Sequence, residues 1–383
     1  MKNILSKSLT ILSLVVVLFS LVSCKPKKDD GKKLPELNII DDKYRNWYEI
    51  FVYSFYDSNN DGYGDLNGVT MKLDYIKDMG FNGIWLMPIH PSPTYHKYDV
   101  KDYYNIDSIY GTLDDFNKLI EEAHKRDIKV IVDLVVNHSS SEHPYFKEAY
   151  EYIQKNKEVG GKYGDYYVFT KTPSTLGFTK VNGTDYYYES RFWSGMPDLN
   201  LDSENVRNEI VNIMKFWLTD CNADGFRLDA VTSYYTGNLP KNVEFLSWLN
   251  QEAKKIKPEC YIVGEAWVGS DYEINRYYQS GIDSFFLFTG SQATGTIASA
   301  VKQQSGRQVG KLMVSLQDAY GEDAILAPFL GNHDTMRPGS FMPGIDNVKM
   351  AAGVMSMLNG GTFVYYGEEI GMQGENDPGC RAG

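Results

Sequence analysis

The 383-residue sequence is poor in cysteine and in basic side chains, and each shortage removes a class of protein. Its four cysteines, Cys24, Cys221, Cys260 and Cys380, show none of the close pairing that a zinc site or a small disulfide scaffold needs. With 38 Lys and Arg against 50 Asp and Glu, the net charge is −12, which argues against nucleic acid as a partner. No Gly-x-Gly-x-x-Gly turn follows the first strand-like run, so an open, doubly wound nucleotide-binding sheet is disfavoured. What is there, 43% hydrophobic and 23% charged residues, is the composition of a folded chain with a sizeable core and not of a disordered or multi-span membrane protein.

The N-terminus reads as a targeting segment. Lys2 and Lys7 accompany an apolar run from Leu9 to Val22 that falls short of the roughly 20 residues of a spanning helix. The run ends in Leu21-Val22-Ser23-Cys24, which resembles the bacterial lipobox, where cleavage before the cysteine leaves it lipidated. Residues 1–23 are thus expected to be a signal peptide, Cys24 the lipidation site and residues 24–42 a flexible tether. The protein is expected on a membrane of the bacterial cell envelope, facing the periplasm or the exterior.

Beyond the tether, short apolar runs alternate with helical-period segments. Eight strands are predicted, at 47–55, 83–89, 129–136, 225–231, 261–267, 284–289, 327–332 and 361–366. Between them lie amphipathic helices such as 112–126, which Thr112 can cap, and 205–220. Eight such units predict an α/β fold, a (β/α)8 TIM barrel, in two parts, 43–138 and 201–383. The tyrosine-rich stretch 139–200 is too long for a structureless loop and is predicted to be a small inserted domain after the third strand.

Polar residues gather where the predicted strands end. Asp133, Asn137 and His138 follow the third, Arg227 and Asp229 the fourth, Glu265 the fifth, and His333 and Asp334 the seventh. In a barrel these ends converge on one site. Ionised carboxylates beside a protonatable one, with Arg and His, suit glycoside hydrolysis, in which one carboxylate attacks and another acid protonates the leaving group.

The runs Asp133-Leu-Val-Val-Asn-His138, Gly225-Phe-Arg-Leu-Asp-Ala230, Gly264-Glu-Ala-Trp267 and Asn332-His-Asp334 resemble, in order, the four signature regions of the α-amylase family, glycoside hydrolase family 13. Tyr95-His-Lys-Tyr-Asp99 and Tyr365-Tyr-Gly-Glu-Glu369 stand at their expected places, and the resemblance covers about residues 44–383. It implies Asp229 as nucleophile, Glu265 as general acid/base and Asp334 as the third carboxylate, holding sugar hydroxyls. It further implies Tyr98, Asp99, His138, Arg227, His333 and Arg381 around the substrate. The chain stops at Gly383, so the family's last barrel helix and C-terminal β-sandwich are expected to be missing.

A second signal is independent of catalysis. The run from Asp57 to Asp65 places Asp57, Asn59, Asp61, Tyr63 and Asp65 at positions 1, 3, 5, 7 and 9, with Gly62 at 6 for a sharp turn. Tyr63 would contribute its backbone carbonyl. Structural Ca2+ is expected, with Mg2+ as the alternative. Asn137 occupies a family calcium position, but Ala230-Val-Thr-Ser233 stands where typical α-amylases carry a Lys-His pair, which argues against a second ion.

The expected substrate is an α-glucan or maltooligosaccharide. Met196-Pro-Asp-Leu-Asn200 resembles a form intermediate between oligo-1,6-glucosidases and neopullulanases, and Ala230 is more usual in members acting on α-1,4 bonds. Retaining α-1,4 hydrolysis of starch, glycogen or maltooligosaccharides is therefore the expected activity. An exo-acting α-glucosidase, in which Asp99 pairs with Arg381, an oligo-1,6-glucosidase and a transglycosylase are alternatives. An inactive carbohydrate-binding relative is the alternative from another class.

Overall fold

A computed structural model of the protein describes residues 44–174 and 176–381; the expected signal segment, Cys24 and the tether lie outside the described residues. Eight parallel strands form one sheet: β1 (Trp47–Ile50), β2 (Gly83–Leu86), β3 (Lys129–Leu134), β4 (Gly225–Leu228), β5 (Tyr261–Gly264), β6 (Ser284–Phe286), β7 (Ile325–Ala327) and β8 (Phe363–Tyr365). They neighbour one another in chain order, and β8 pairs back onto β1 with Phe363 opposite Trp47. Between β7 and β8, Gly361 N–H donates to Leu326 O at 3.0 Å and Phe363 N–H to Pro328 O at 2.9 Å. The sheet thereby closes into a (β/α)8 barrel.

Every predicted strand is present, though all eight are shorter than their apolar runs. The first ladder stops at Ile50 because Val52–Phe55 turns into a short helix. Val52 is buried in the helix, so its hydrophobicity does not separate a helix from the expected strand. The seventh strand begins two residues earlier than expected, at Ile325, and ends before Pro328, which has no N–H to donate to a ladder. Phe329 and Leu330 beyond it are buried without being strand, which explains the misplaced boundary.

The helices follow their caps and apolar faces. Thr112 and Asp115 form a reciprocal capping box that starts the helix Leu113–His124, whose Phe116, Leu119, Ile120 and Ala123 are buried against the barrel. Ser203 caps Glu204–Lys215, and the expected last turn is the widened π-turn Phe216–Asp220, from which buried Trp217 donates its indole N–H to Tyr103 O at 2.9 Å. Among the described residues, Cys221, Cys260 and Cys380 are buried free thiols, and no helix is long and apolar enough to cross a membrane.

Two apolar layers result. One lies between sheet and helices; the other fills the barrel interior with Trp47, Trp85, Ile131, Val263, Phe286 and Phe363 among others. The segment between β3 and Glu204 carries the helix Pro144–Asn156 and a three-stranded antiparallel sheet of Phe169–Thr170, Phe178–Lys180 and Tyr187–Glu189. It has a core of its own around Phe146, Ile153, Tyr167 and Tyr188. Its chain rejoins the barrel along the end of β3, where Ser139 N–H donates to Pro197 O and Leu199 N–H to Asn137 O.

Candidate active site

Because side chains alternate along a strand, the residue two beyond an inward apolar one also faces inward, one layer higher. Glu49 follows Trp47, Asp133 follows Ile131, and Glu265 follows Val263 in this way. Arg227 and Asp229 continue the same face of β4. The result is a polar crown on the apolar interior, at the strands' C-terminal ends. Its members are buried, so their charges must satisfy one another.

Arg227 is the hub. Its Nη1 lies 2.7 Å from Asp229 Oδ1 and 3.0 Å from Asp133 Oδ1, and its Nη2 lies 2.9 Å from Glu265 Oε1. One planar guanidinium thus holds three carboxylates, a geometry that an ammonium cannot match. Burial pushes the Glu265 carboxyl up to about 8 against the lowering pull of Arg227, and the Asp229 and Asp334 charges add to the rise. At neutral pH Glu265 therefore carries a proton. Burial likewise raises Asp133, to about 7.

The backbone contributes as well. Ala230, directly after Asp229, has φ of 48°, a left-handed conformation that a residue with a Cβ adopts at a cost. That conformation accompanies donation of its N–H to Glu265 Oε2 at 2.8 Å. At the other end of β4, Gly225 approaches the Tyr261 backbone too closely for any Cβ.

A second cluster sits around β7. His333 Nδ1 lies 2.6 Å from Glu49 Oε1, while Nε2 lies 3.0 Å from Asp334 Oδ2 and 2.7 Å from the Tyr98 hydroxyl. Burial alone would lower this histidine, but Asp334 and Glu49 outweigh it and raise it to about 9. The Asp334 carboxyl is disfavoured as a charge by burial, yet His333, Arg381 and Arg227 hold it well below the usual carboxylate range. Asp334 stays ionised where Glu265 is protonated. Two carboxyls with opposite protonation in one hydrogen-bonded network are the arrangement that acid and charge-stabilising roles require.

The structure brings Asp229, Glu265, Asp334, Tyr98, Arg227 and His333 into one connected network. His138 and Asp99 border it, and each keeps a buried atom without a protein partner, His138 Nε2 and Asp99 Oδ2. Such atoms are costly unless something else satisfies them, as a sugar hydroxyl would. Arg381 Nη2 lies 2.7 Å from Asp334 Oδ1 and its Nε 3.2 Å from Asp377 Oδ1. Asp99 accepts from Ser92 and Thr94, and among the described residues no Asp99–Arg381 ion pair forms.

Glu49 escaped sequence reasoning, although a lone acid two residues after Trp47 in an otherwise apolar run was a usable signal. So did the aromatic rim: Phe192 is 50% exposed with its ring 5.2 Å from that of His138, and Trp267 is 47% exposed, stacked on Phe288. Asn137 donates to Asp198 Oδ1 at 3.3 Å.

The Asp57–Asp65 run forms a tight turn. Asp57 accepts from the N–H groups of Asn59, Asn60, Asp61 and Gly62, and Asn59 Nδ2 donates to Asp61 Oδ2, so the side chains at positions 1, 3 and 5 gather in one turn. Gly62 has φ of 96°, which the bend requires. Asp65 accepts from Ser58 and caps the following helix through Gly68 N–H. Among the described residues no three His, Cys, Asp or Glu side chains group as metal ligands; Asn59 and a carbonyl are part of this set.

Closed barrel, polar crown and insertion after β3 define a (β/α)8 protein with a carboxylate site at the C-terminal end of its strands. The chain belongs to the alpha-amylase family, whose catalytic-domain model matches residues 49–380. It is 43% identical over 341 residues to Alpha-amylase 3 of Dictyoglomus thermophilum, covering 86% of this chain and 65% of that protein. To an oligo-1,6-glucosidase of Heyndrickxia coagulans it is 34% identical over 376 residues, covering 85% of this chain and 66% of the relative. The chain thus spans about two thirds of the length of these relatives. Among solved structures, Eubacterium rectale Amy13B superposes with a TM-score of 0.84 at 47% identity, over 90% of this chain and 69% of that one. The alpha-amylase from H. orenii gives 0.78 at 38%, over 89% and 72%.

Proposed function

We propose that the protein hydrolyses α-1,4-glucosidic bonds of starch, glycogen or maltooligosaccharides with retention of configuration. The observation that carries this reading is the Arg227 bridge between ionisable Asp229 and protonated Glu265. Asp229 attacks the anomeric carbon while Glu265 gives its proton to the departing glycosidic oxygen. Glu265, now a carboxylate, takes a proton from water, whose oxygen displaces Asp229. Asp334 accepts sugar hydroxyls, and His138 Nε2, His333 and Tyr98 line the glycone side.

Attack within chains is favoured over exo action because the Asp99–Arg381 pair expected to close the non-reducing end is not formed. Product chromatography on starch, maltotriose, isomaltose and pullulan tests the reading: mixed maltooligosaccharides from starch are expected, and glucose released singly from chain ends would overturn it.

The Asp57–Asp65 turn offers hard oxygen donors, from Asp57, Asn59, Asp61, the Tyr63 carbonyl and Asp65, which suit Ca2+ or Mg2+. Such an ion would stiffen the turn after β1 and takes no part in the chemistry. Cys24 is proposed as a lipid anchor to the bacterial envelope; incorporation of labelled fatty acid, lost in Cys24→Ser, tests it.

A further inference from the structure

We propose that the inserted segment carries a second α-glucan-binding site, on the flank of the helix Pro144–Asn156 beside Trp193, for the part of a long chain that has left the catalytic cleft. The inference rests on the glucan reading above.

The helix has two functional faces. Phe146, Ala149 and Ile153 are buried in the insert's core. Lys147, Tyr150, Glu151 and Gln154 stand at i, i+3, i+4 and i+7, one stripe, and line a pocket of about 470 Å³ whose opposite wall is Trp193 with Tyr188. That volume falls in the roughly 300–1,000 Å³ range of ligand pockets.

Trp193 is 49% exposed, yet it is not a loose surface side chain. Its indole lies across Gly195, where any Cβ would collide with the ring. The Tyr188 hydroxyl donates to Ser194 O at 2.8 Å, and Ser141 N–H to Gly195 O at 2.8 Å, pinning the segment on both sides of the pocket. The ring packs on Gly195 on one side and is half open to water, so it offers an apolar face beside the pocket. Such a face suits a sugar, whose C–H face packs on an indole while its hydroxyls reach Lys147, Glu151 and Gln154.

Trp193 is one residue from the border of the active site. Phe192, the neighbour of Trp193, turns the other way and packs on His138 of the active site.

The test compares Trp193→Ala and Lys147→Ala/Gln154→Ala with the parent on soluble starch and on 4-nitrophenyl α-maltotrioside. Expected is a rise in KM for starch of about fivefold in Trp193→Ala, the effect of losing one aromatic contact, with kcat/KM on the short substrate unchanged. Unchanged starch KM in both variants, or an equal loss on both substrates, would overturn the site. If the parent cleaves neither substrate, the activity reading fails on its own. The site is then decided by calorimetric titration with maltoheptaose, in which binding that is weakened by Trp193→Ala supports it and binding that is unaltered, or absent in the parent, rejects it.

Discussion

The Glu49 carboxylate accepts a hydrogen bond from His333 Nδ1 across 2.6 Å, tying the first barrel strand to the loop after the seventh. With Asp334 on the other ring nitrogen, it keeps His333 charged well above neutrality. Glu49 is thus a positioning residue: through His333 it holds Asp334 ionised and oriented. Replacing it with Gln keeps an acceptor but removes the charge. Glu49→Gln is expected to lower kcat/KM on the order of tenfold, about one pKa unit's worth of interaction, and to lower the His333 titration midpoint seen by NMR. An unmoved midpoint would show that Glu49 does not govern the ring.

For the proposed nucleophile and acid, Asp229→Asn should cut turnover by about 10³-fold or more, because the covalent intermediate of the proposed mechanism forms on Asp229. Glu265→Gln should suppress starch hydrolysis far more than hydrolysis of activated aryl glycosides, whose leaving groups depart unaided. In the parent, activity should fall as pH passes about 8, where Glu265 loses its proton. Near-parental starch hydrolysis by the Asp229 variant would sink the assignment.

Arg227→Lys retains the charge but not the fork that reaches Asp133, Asp229 and Glu265 together. Leaving buried carboxylates without their partner should cost about 3 kcal/mol or more in stability, with a large loss of turnover. Denaturant titration and initial rates on one preparation measure both; parental values for both would refute the hub role.

Stability should decline with rising pH. Glu265, raised from 4.5 to about 8, Asp133, from 3.8 to about 7, and His333, from 6.5 to about 9, all bind protons more tightly folded than unfolded. Each contribution is complete below the unfolded value and is lost as pH climbs through the folded one. Asp334 acts oppositely, its contribution being lost only in acid, so it is constant across this window. Calorimetry should show Tm falling between about pH 6 and 9; a flat or rising Tm would contradict the protonation pattern.

If the Asp57–Asp65 turn binds Ca2+, excess chelator should lower Tm, and Asp61→Ala should remove most of that dependence, since an ion bound only by the folded state stabilises it by mass action. Identical melting curves with chelator and with added Ca2+ would argue against an ion there.

Much of this was legible in the chain itself. Alternation of apolar runs with capped helical stretches is local information, and it located all eight strands while overrunning their ends, because residues such as Val52 and Phe329 are buried outside the ladder. Residue type at the strand ends likewise gathered Asp133, Asn137, His138, Arg227, Asp229, Glu265, His333 and Asp334, because a polar group closing a buried strand has few reasons to be there, while the resemblance to the α-amylase family singled out Asp229, Glu265 and Asp334. What the sequence could not decide depends on which side chains the folded chain brings into contact. The Glu49–His333 pair joins β1 to β7, and the expected partner of Asp99 is turned to Asp334 and Asp377 instead. Protonation belongs to this second kind. Asp229, Glu265 and Asp334 are all plain carboxylic acids in the sequence. Only barrel closure, by stripping water from Glu265 and surrounding Asp334 with His333 and Arg381, makes one an acid and keeps the other a charge.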